Sequence, residues 1–132
     1  MTKVNQTMET TREDQSLKSP LIVGIGASAG GLEALQQFFQ HMPGNSGLSY
    51  VVIQHLSPDY KSLMADILGK HTEMTVRQAE DGMEIHPDTV YLIPPKKNLS
   101  LRDDRLVLSD IVPGQLNHPI DVFLISLALE KR

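Results

Sequence analysis

The chain has 132 residues, 40% of them apolar, and a formal net charge of -4 at pH 7, so it can bury one core yet is short for a complete α/β enzyme. Acidic and basic residues are interspersed without a lysine or arginine cluster, which disfavours nucleic acid and anionic membrane surfaces as partners. There is no cysteine, hence no disulfide framework or thiolate metal site; with no apolar run of transmembrane length and a polar start, a soluble cytoplasmic protein without membrane insertion is the expectation.

Residues Met1 to Ser19 are rich in Thr, Glu, Asp, Gln and Lys and lack apolar periodicity. They cannot offset their ordering entropy by burial, so 1–19 reads as a disordered tail and 20–132 as one domain. After Pro20, Leu21 to Ile25 is a short apolar run with β-branched residues, the pattern of a strand covered on both faces. From Gly31 the positions Leu32, Leu35, Phe38, Phe39 and Met42 fall at helical spacing until Pro43-Gly44, predicting a helix of about three turns. Tyr50 to Ile53 is a second buried-strand pattern, ending at Gln54-His55 before Ser57-Pro58-Asp59. Strand, helix, strand predicts a parallel βαβ unit whose carboxyl strand ends carry Ser28 and His55.

Leu63, Met64, Ile67 and Leu68 predict a second amphipathic helix closed by Gly69, followed by a short strand at Thr75-Val76. After the Asp81-Gly82 turn, Thr89 to Ile93 predicts a strand. Leu99 to Leu101 and Leu106 to Leu108, with Asp103-Asp104 between them, predict a β-hairpin. Pro119 starts a last helix with Ile120, Phe123, Leu124, Leu127 and Ala128 on its apolar face. The expected fold is α/β: a doubly wound, mainly parallel sheet with helices on both faces and a β-hairpin. Another parallel strand would be due after Arg132, so incompleteness at the C-terminus belongs to this expectation.

The chemistry concentrates at Gly26-Ala27-Ser28-Ala29-Gly30, a G-x-S-x-G pattern between a strand and a helix. Small neighbours there let a sharp turn expose a serine oxygen above the sheet. The backbone of Ala29 and Gly30, at the start of the helix, is positioned by this reading to face a developing oxyanion. The same stretch also reads as Gly24-x-Gly26-x-x-Ala29, close to a dinucleotide fingerprint. That alternative wants an acidic residue at the end of the second strand, where Gln54-His55 stands instead. An imidazole at that edge is what a serine nucleophile needs as general base. His41, His71, His86 and His118 show no metal-ligand spacing and read as surface or turn residues, so no metal and no cofactor are expected. The adjacent Lys96 and Lys97 read as a solvated loop, with a substrate-facing role as the lesser alternative.

Taken together, Ile25 to Gly31, Val51 to His55, Ala79-Glu80-Asp81-Gly82, Val90 to Pro95 and His118 to Phe123 resemble the CheB family of chemotaxis protein-glutamate methylesterases. The Pro95-Lys96-Lys97-Asn98-Leu99 variant is similar to CheB-like domains that open fusion proteins with a CheR-type methyltransferase. The resemblance implies hydrolysis of γ-glutamyl methyl esters, and deamidation of glutamines, on chemoreceptor helices, with Ser28 as nucleophile and His55 as base. It further implies methylated chemoreceptors as partners, together with a fused or interacting methyltransferase and signalling domains. Ala29 stands where the family usually has a hydroxyl residue, and the family's orienting aspartate would lie beyond Arg132. The 132 residues alone are therefore expected to be weak or inactive. A receptor-binding or partner-binding sensory module with the same fold is the alternative from another class, and nucleotide binding the weaker third.

Overall fold

The computed structural model describes residues 21–27, 31–54, 63–112 and 118–131. Its elements are β1 (Ile22–Ala27), α1 (Leu32–His41), β2 (Ser49–Gln54), α2 (Leu63–Gly69), β3 (Thr75–Gln78), β4 (Met83–Glu84), β5 (Thr89–Leu92), β6 (Lys97–Arg102), β7 (Arg105–Asp110) and α3 (Pro119–Glu130). The expected tail, 1–19, lies outside the described residues.

Runs without charge at Tyr50 to Ile53 and Val90 to Ile93 can be buried on both faces, and they form the two central strands. The order is β1-β2-β5-β3 and every pairing is parallel. Alternation of side chains across the strands divides the core in two. Tyr50, Val52, Val90 and Leu92 face α1 and α2, meeting Leu35, Phe39, Met64 and Leu68. Val51, Ile53, Tyr91 and Ile93 face the other way, against Phe123 of α3 and Leu99, Leu101 and Leu106 of a second sheet. At about 1.5–3 kcal/mol per fully buried large apolar side chain, these two layers supply the main favourable contribution to folding. Helices therefore cover both faces, as the doubly wound α/β reading requires.

The second sheet is antiparallel, ordered β4-β7-β6. Its hairpin turns through Asp103 and Asp104, with φ of 52° and 61°, between the paired residues Arg102 and Arg105. Two left-handed central residues define the two-residue type I′ loop that matches strand twist, and aspartate tolerates that conformation better than most side chains. The tip is tied to the end of α3, because the Asp103 N–H donates to Glu130 Oε2 at 3.2 Å and Lys131 Nζ to Asp104 Oδ1 at 2.7 Å. Midway along α3, Ser126 Oγ accepts the Leu101 N–H at 3.0 Å and donates to the Phe123 carbonyl at 2.8 Å.

Strand β1 is at an edge of the sheet and half-buried, and both its faces are covered as expected, Val23, Ile25 and Ala27 on the side of α1 and Ile22, Gly24 and Gly26 on the side of α3. One feature differs from the sequence expectation. Strand β4 has no counterpart in the apolar pattern. It pairs with β7, Met83 opposite Leu106 and Glu84 opposite Arg105, and Arg105 adds bonds from Nη1 to the Gly82 carbonyl at 3.0 Å and from Nη2 to Glu84 Oε1 at 2.8 Å.

Candidate functional site

All four residues to which the sequence assigns the chemistry, Ser28, His55, Ala29 and Gly30, lie outside the described residues. The scaffold on either side of them is described. Strands β1 and β2 run in parallel register from Ile22 opposite Ser49 to Ala27 opposite Gln54, so residues 28 and 55 are the next in sequence after two paired strand termini. Neighbouring strands are about 4.8 Å apart. Beyond β2, the Ile93 N–H donates to the Val52 carbonyl at 3.1 Å, which carries β5 along β2 up to Pro94-Pro95-Lys96. The carboxyl ends of the parallel strands are thus ordered, from the edge inward, as Ala27 of β1, Gln54 of β2 and Leu92 of β5.

The glycines of the opening motif have a packing cause. A Cβ on Gly26 would stand 2.6 Å from Ile120 Cγ2, and one on Gly24 2.9 Å from Leu124 Cδ2. Both glycines are on the face of β1 that α3 covers, and their bare surface lets the helix approach. Close helix approach accounts for them without a pyrophosphate, which removes the main support for the dinucleotide alternative. Gln54, the last paired residue of β2, is 5% exposed and borders a cavity of about 10 Å³ with Val52, Met64, Leu92 and Ile93. Its burial beside the strand terminus was not legible from the sequence, where Gln54 reads as the polar end of an apolar run.

The Ala79 to Gly82 motif is structural. The Gly82 N–H donates to the Leu106 carbonyl at 2.7 Å, Asp81 Oδ1 accepts the Leu108 N–H at 2.9 Å, and Gly82 takes a φ of 79° that favours glycine. Lys97 is committed as well, since its ammonium pairs with Asp110. That hydrogen bond first, and the ammonium's charge second, hold the Asp110 carboxyl below its ordinary value. His41 donates its Nδ1–H to the Gln37 carbonyl at 2.7 Å, and His118 precedes Pro119 as the cap of α3. Among the described residues there is no grouping of His, Cys, Asp and Glu that could hold a metal ion, and no helix is long and apolar enough to cross a membrane. An open cleft of about 460 Å³ bordered by Met42, Pro43, Lys70, His71 and Glu73 lies where α1 leads into β2 and α2 leads toward β3. That is the amino end of the sheet, opposite the strand ends at Ala27 and Gln54.

Residues 23–132 match the family model described as CheB methylesterase. The chain is 38% identical over 112 residues, 81% of its length, to protein-glutamate methylesterase/protein-glutamine glutaminase 2 of Xanthomonas oryzae pv. oryzae (strain MAFF 311018). It is also 38% identical over 81 residues, 61% of its length, to the protein-glutamate methylesterase/protein-glutamine glutaminase of Thermotoga maritima. It spans 31% and 24% of those two relatives. Among solved structures, the Thermotoga maritima CheB methylesterase catalytic domain superposes with a TM-score of 0.73 at 32% identity, over 85% of this chain and 62% of that one.

Proposed function

The chain belongs to the CheB methylesterase family, and from that premise we propose that it carries the nucleophile and general base of a protein-glutamate methylesterase that also deamidates glutamine. The observation that supports the reading is the parallel register ending at Ala27 opposite Gln54, since Ser28 and His55 are the next residues in sequence after those two strand ends. A strand spacing of about 4.8 Å is short enough for a serine hydroxyl and an imidazole to come within hydrogen-bond reach.

In this reading Ser28 Oγ attacks the carbonyl carbon of a γ-glutamyl methyl ester while His55 takes its proton. The tetrahedral oxyanion faces the backbone N–H groups of Ala29 and Gly30. Its collapse breaks the carbon–oxygen bond to the methoxy group, which leaves as methanol with the proton from the imidazolium. Water, deprotonated by His55, then releases glutamate from the acyl-serine. On a glutamine side chain the same steps expel ammonia. The substrates of this reading are methylated chemoreceptor helices in the cytoplasm, with residues 20–132 as the methylesterase portion and 1–19 as a tail. A methyltransferase and other signalling domains are the further partners it implies, and it needs neither metal nor cofactor.

The test is covalent labelling. A serine-reactive phosphonate should add one mass increment to the intact chain, mapping to Ser28, with slower labelling in His55→Gln and none in Ser28→Ala. Equal labelling of Ser28→Ala would sink the assignment.

A further inference from the structure

Among the described residues, four other than glycine have left-handed backbone: Asp88, Lys96, Asp103 and Asp104. The three aspartates have chemistry suited to it. Asp103 and Asp104 make the hairpin turn, and Asp88 Oδ1 accepts the Gly47 N–H at 2.7 Å. Lys96 has no side-chain acceptor with which to brace a φ of 61°. Its backbone is held in place from both sides, by the Ile93 N–H on the Val52 carbonyl and by the Ile111 N–H on the Lys96 carbonyl at 3.4 Å.

Lys96 is exposed, and its ammonium makes no ion pair or hydrogen bond among the described residues. The adjacent lysine is already engaged, Lys97 with Asp110. Among the described residues, a cation without a charged partner therefore stands just past the carboxyl end of β5, the strand next to β2, in a chain whose net charge is -4. Glycine or asparagine would fill that backbone conformation at lower cost, so lysine there trades stability for what its side chain does. Local strain retained at a functional rim is the pattern expected of such a trade.

We propose that Lys96 is a specificity-determining residue that recognises carboxylates flanking the target ester, selecting acidic polypeptide segments. The proposal rests on the methylesterase reading. Each turnover of that reaction leaves a glutamate carboxylate, so a segment processed at more than one position becomes anionic, and the overall negative charge of the chain would otherwise repel it.

The experiment uses the full chain and two fluorescein-labelled peptides with one glutamyl γ-methyl ester each, flanked in one by glutamates and in the other by glutamines. By fluorescence anisotropy at low salt, the wild type should prefer the glutamate-flanked peptide by about two- to fivefold, the range for one exposed charge pair, and high salt should erase the preference. Lys96→Gly should abolish the preference and Lys96→Glu reverse it. Lys70→Glu, the same charge change at the amino end of the sheet, should leave it intact. Lys96→Gly should also raise Tm by about 2–4 °C, whereas a purely structural lysine would give a fall. Equal binding of the two peptides by the wild type, an unchanged preference in Lys96→Glu, or a lower Tm in Lys96→Gly would each overturn the proposal. Loss of Ser28 labelling with the peptide preference intact would instead count against the esterase reading alone.

Discussion

Substituting Gly26 by alanine separates two explanations of the opening motif, close helix packing and turn flexibility. Gly26 has no positive φ, so its backbone conformation admits a side chain, and the loss of unfolded-state freedom would by itself favour alanine by about 0.4–1 kcal/mol. Opposing it, the new methyl would stand 2.6 Å from Ile120 Cγ2, 3.2 Å from Cδ1 and 3.3 Å from Cγ1. Because Cγ2 is bonded directly to Cβ, it moves only if χ1 or the helix moves, and overpacking of this kind costs about 1–3 kcal/mol. The packing cost is the larger, for a net loss of roughly 1–2 kcal/mol. Ile120→Ala removes all three opposing atoms, so Gly26→Ala in that background should be neutral or stabilising, a coupling of about 1–2 kcal/mol. Urea denaturation followed by far-UV circular dichroism of the two single variants and the double variant measures it. If Gly26→Ala costs the same in both backgrounds, the packing account of the motif fails.

Two further predictions follow from the two layers of the fold. Tyr50 is buried against Phe39 and Phe38, with ring centroids at 5.3 and 6.1 Å, and its hydroxyl has no hydrogen-bond partner among the described residues. Tyr50→Phe removes an unpaid desolvation and should raise the unfolding free energy by about 1 kcal/mol; a loss of that size would mean that the hydroxyl is satisfied. At the hairpin, Lys97→Ala should move the Asp110 titration midpoint, followed by NMR, up toward 3.8, its ordinary value. A depressed carboxyl in the folded state contributes stability above its unfolded value and loses it as pH falls through the folded one. The wild type should therefore lose this small surface contribution only in acid below that value, and an unchanged midpoint in the variant would refute the pairing.

Residues whose local pattern and tertiary role coincide were legible in the sequence. The apolar runs of β2 and β5 are central strands, Pro119 opens α3, and Asp103-Asp104 turns the hairpin, each because one local property decides the outcome. Features that depend on a distant neighbour were not legible. Phe38 belongs to the apolar face of α1 by spacing but is 41% exposed, while Ile125 and Leu129 leave the other side of α3 apolar at 60% exposure each. Helical periodicity gives the face that can be buried; which part is covered depends on what the sheet edge at β1 brings against it. Lys96 was read as a solvated lysine because nothing in composition reports a left-handed φ. At the candidate site itself, the pairing of two strand ends was legible, whereas the burial of Gln54 depends on α2 and β5 arriving from elsewhere in the chain.

The glycine motif combines two patterns of different origin. Gly24 and Gly26 are two residues apart on one strand, so they share a face, and together with Ile22 that face meets the core layer containing α3. Val23, Ile25 and Ala27 alternate with them and pack toward α1 and α2. A period of two is the signature of a strand surface made smooth for a helix, while Ser28 to Gly30 belong to the connection that follows. A dinucleotide fingerprint and a nucleophile elbow both use small residues for close backbone approach, so the bare sequence could not tell them apart. Once helix packing accounts for the first two glycines, the motif that remains to be explained by chemistry is only the segment beginning at Ser28, which follows in sequence the strand end that pairs with Gln54, the residue before His55.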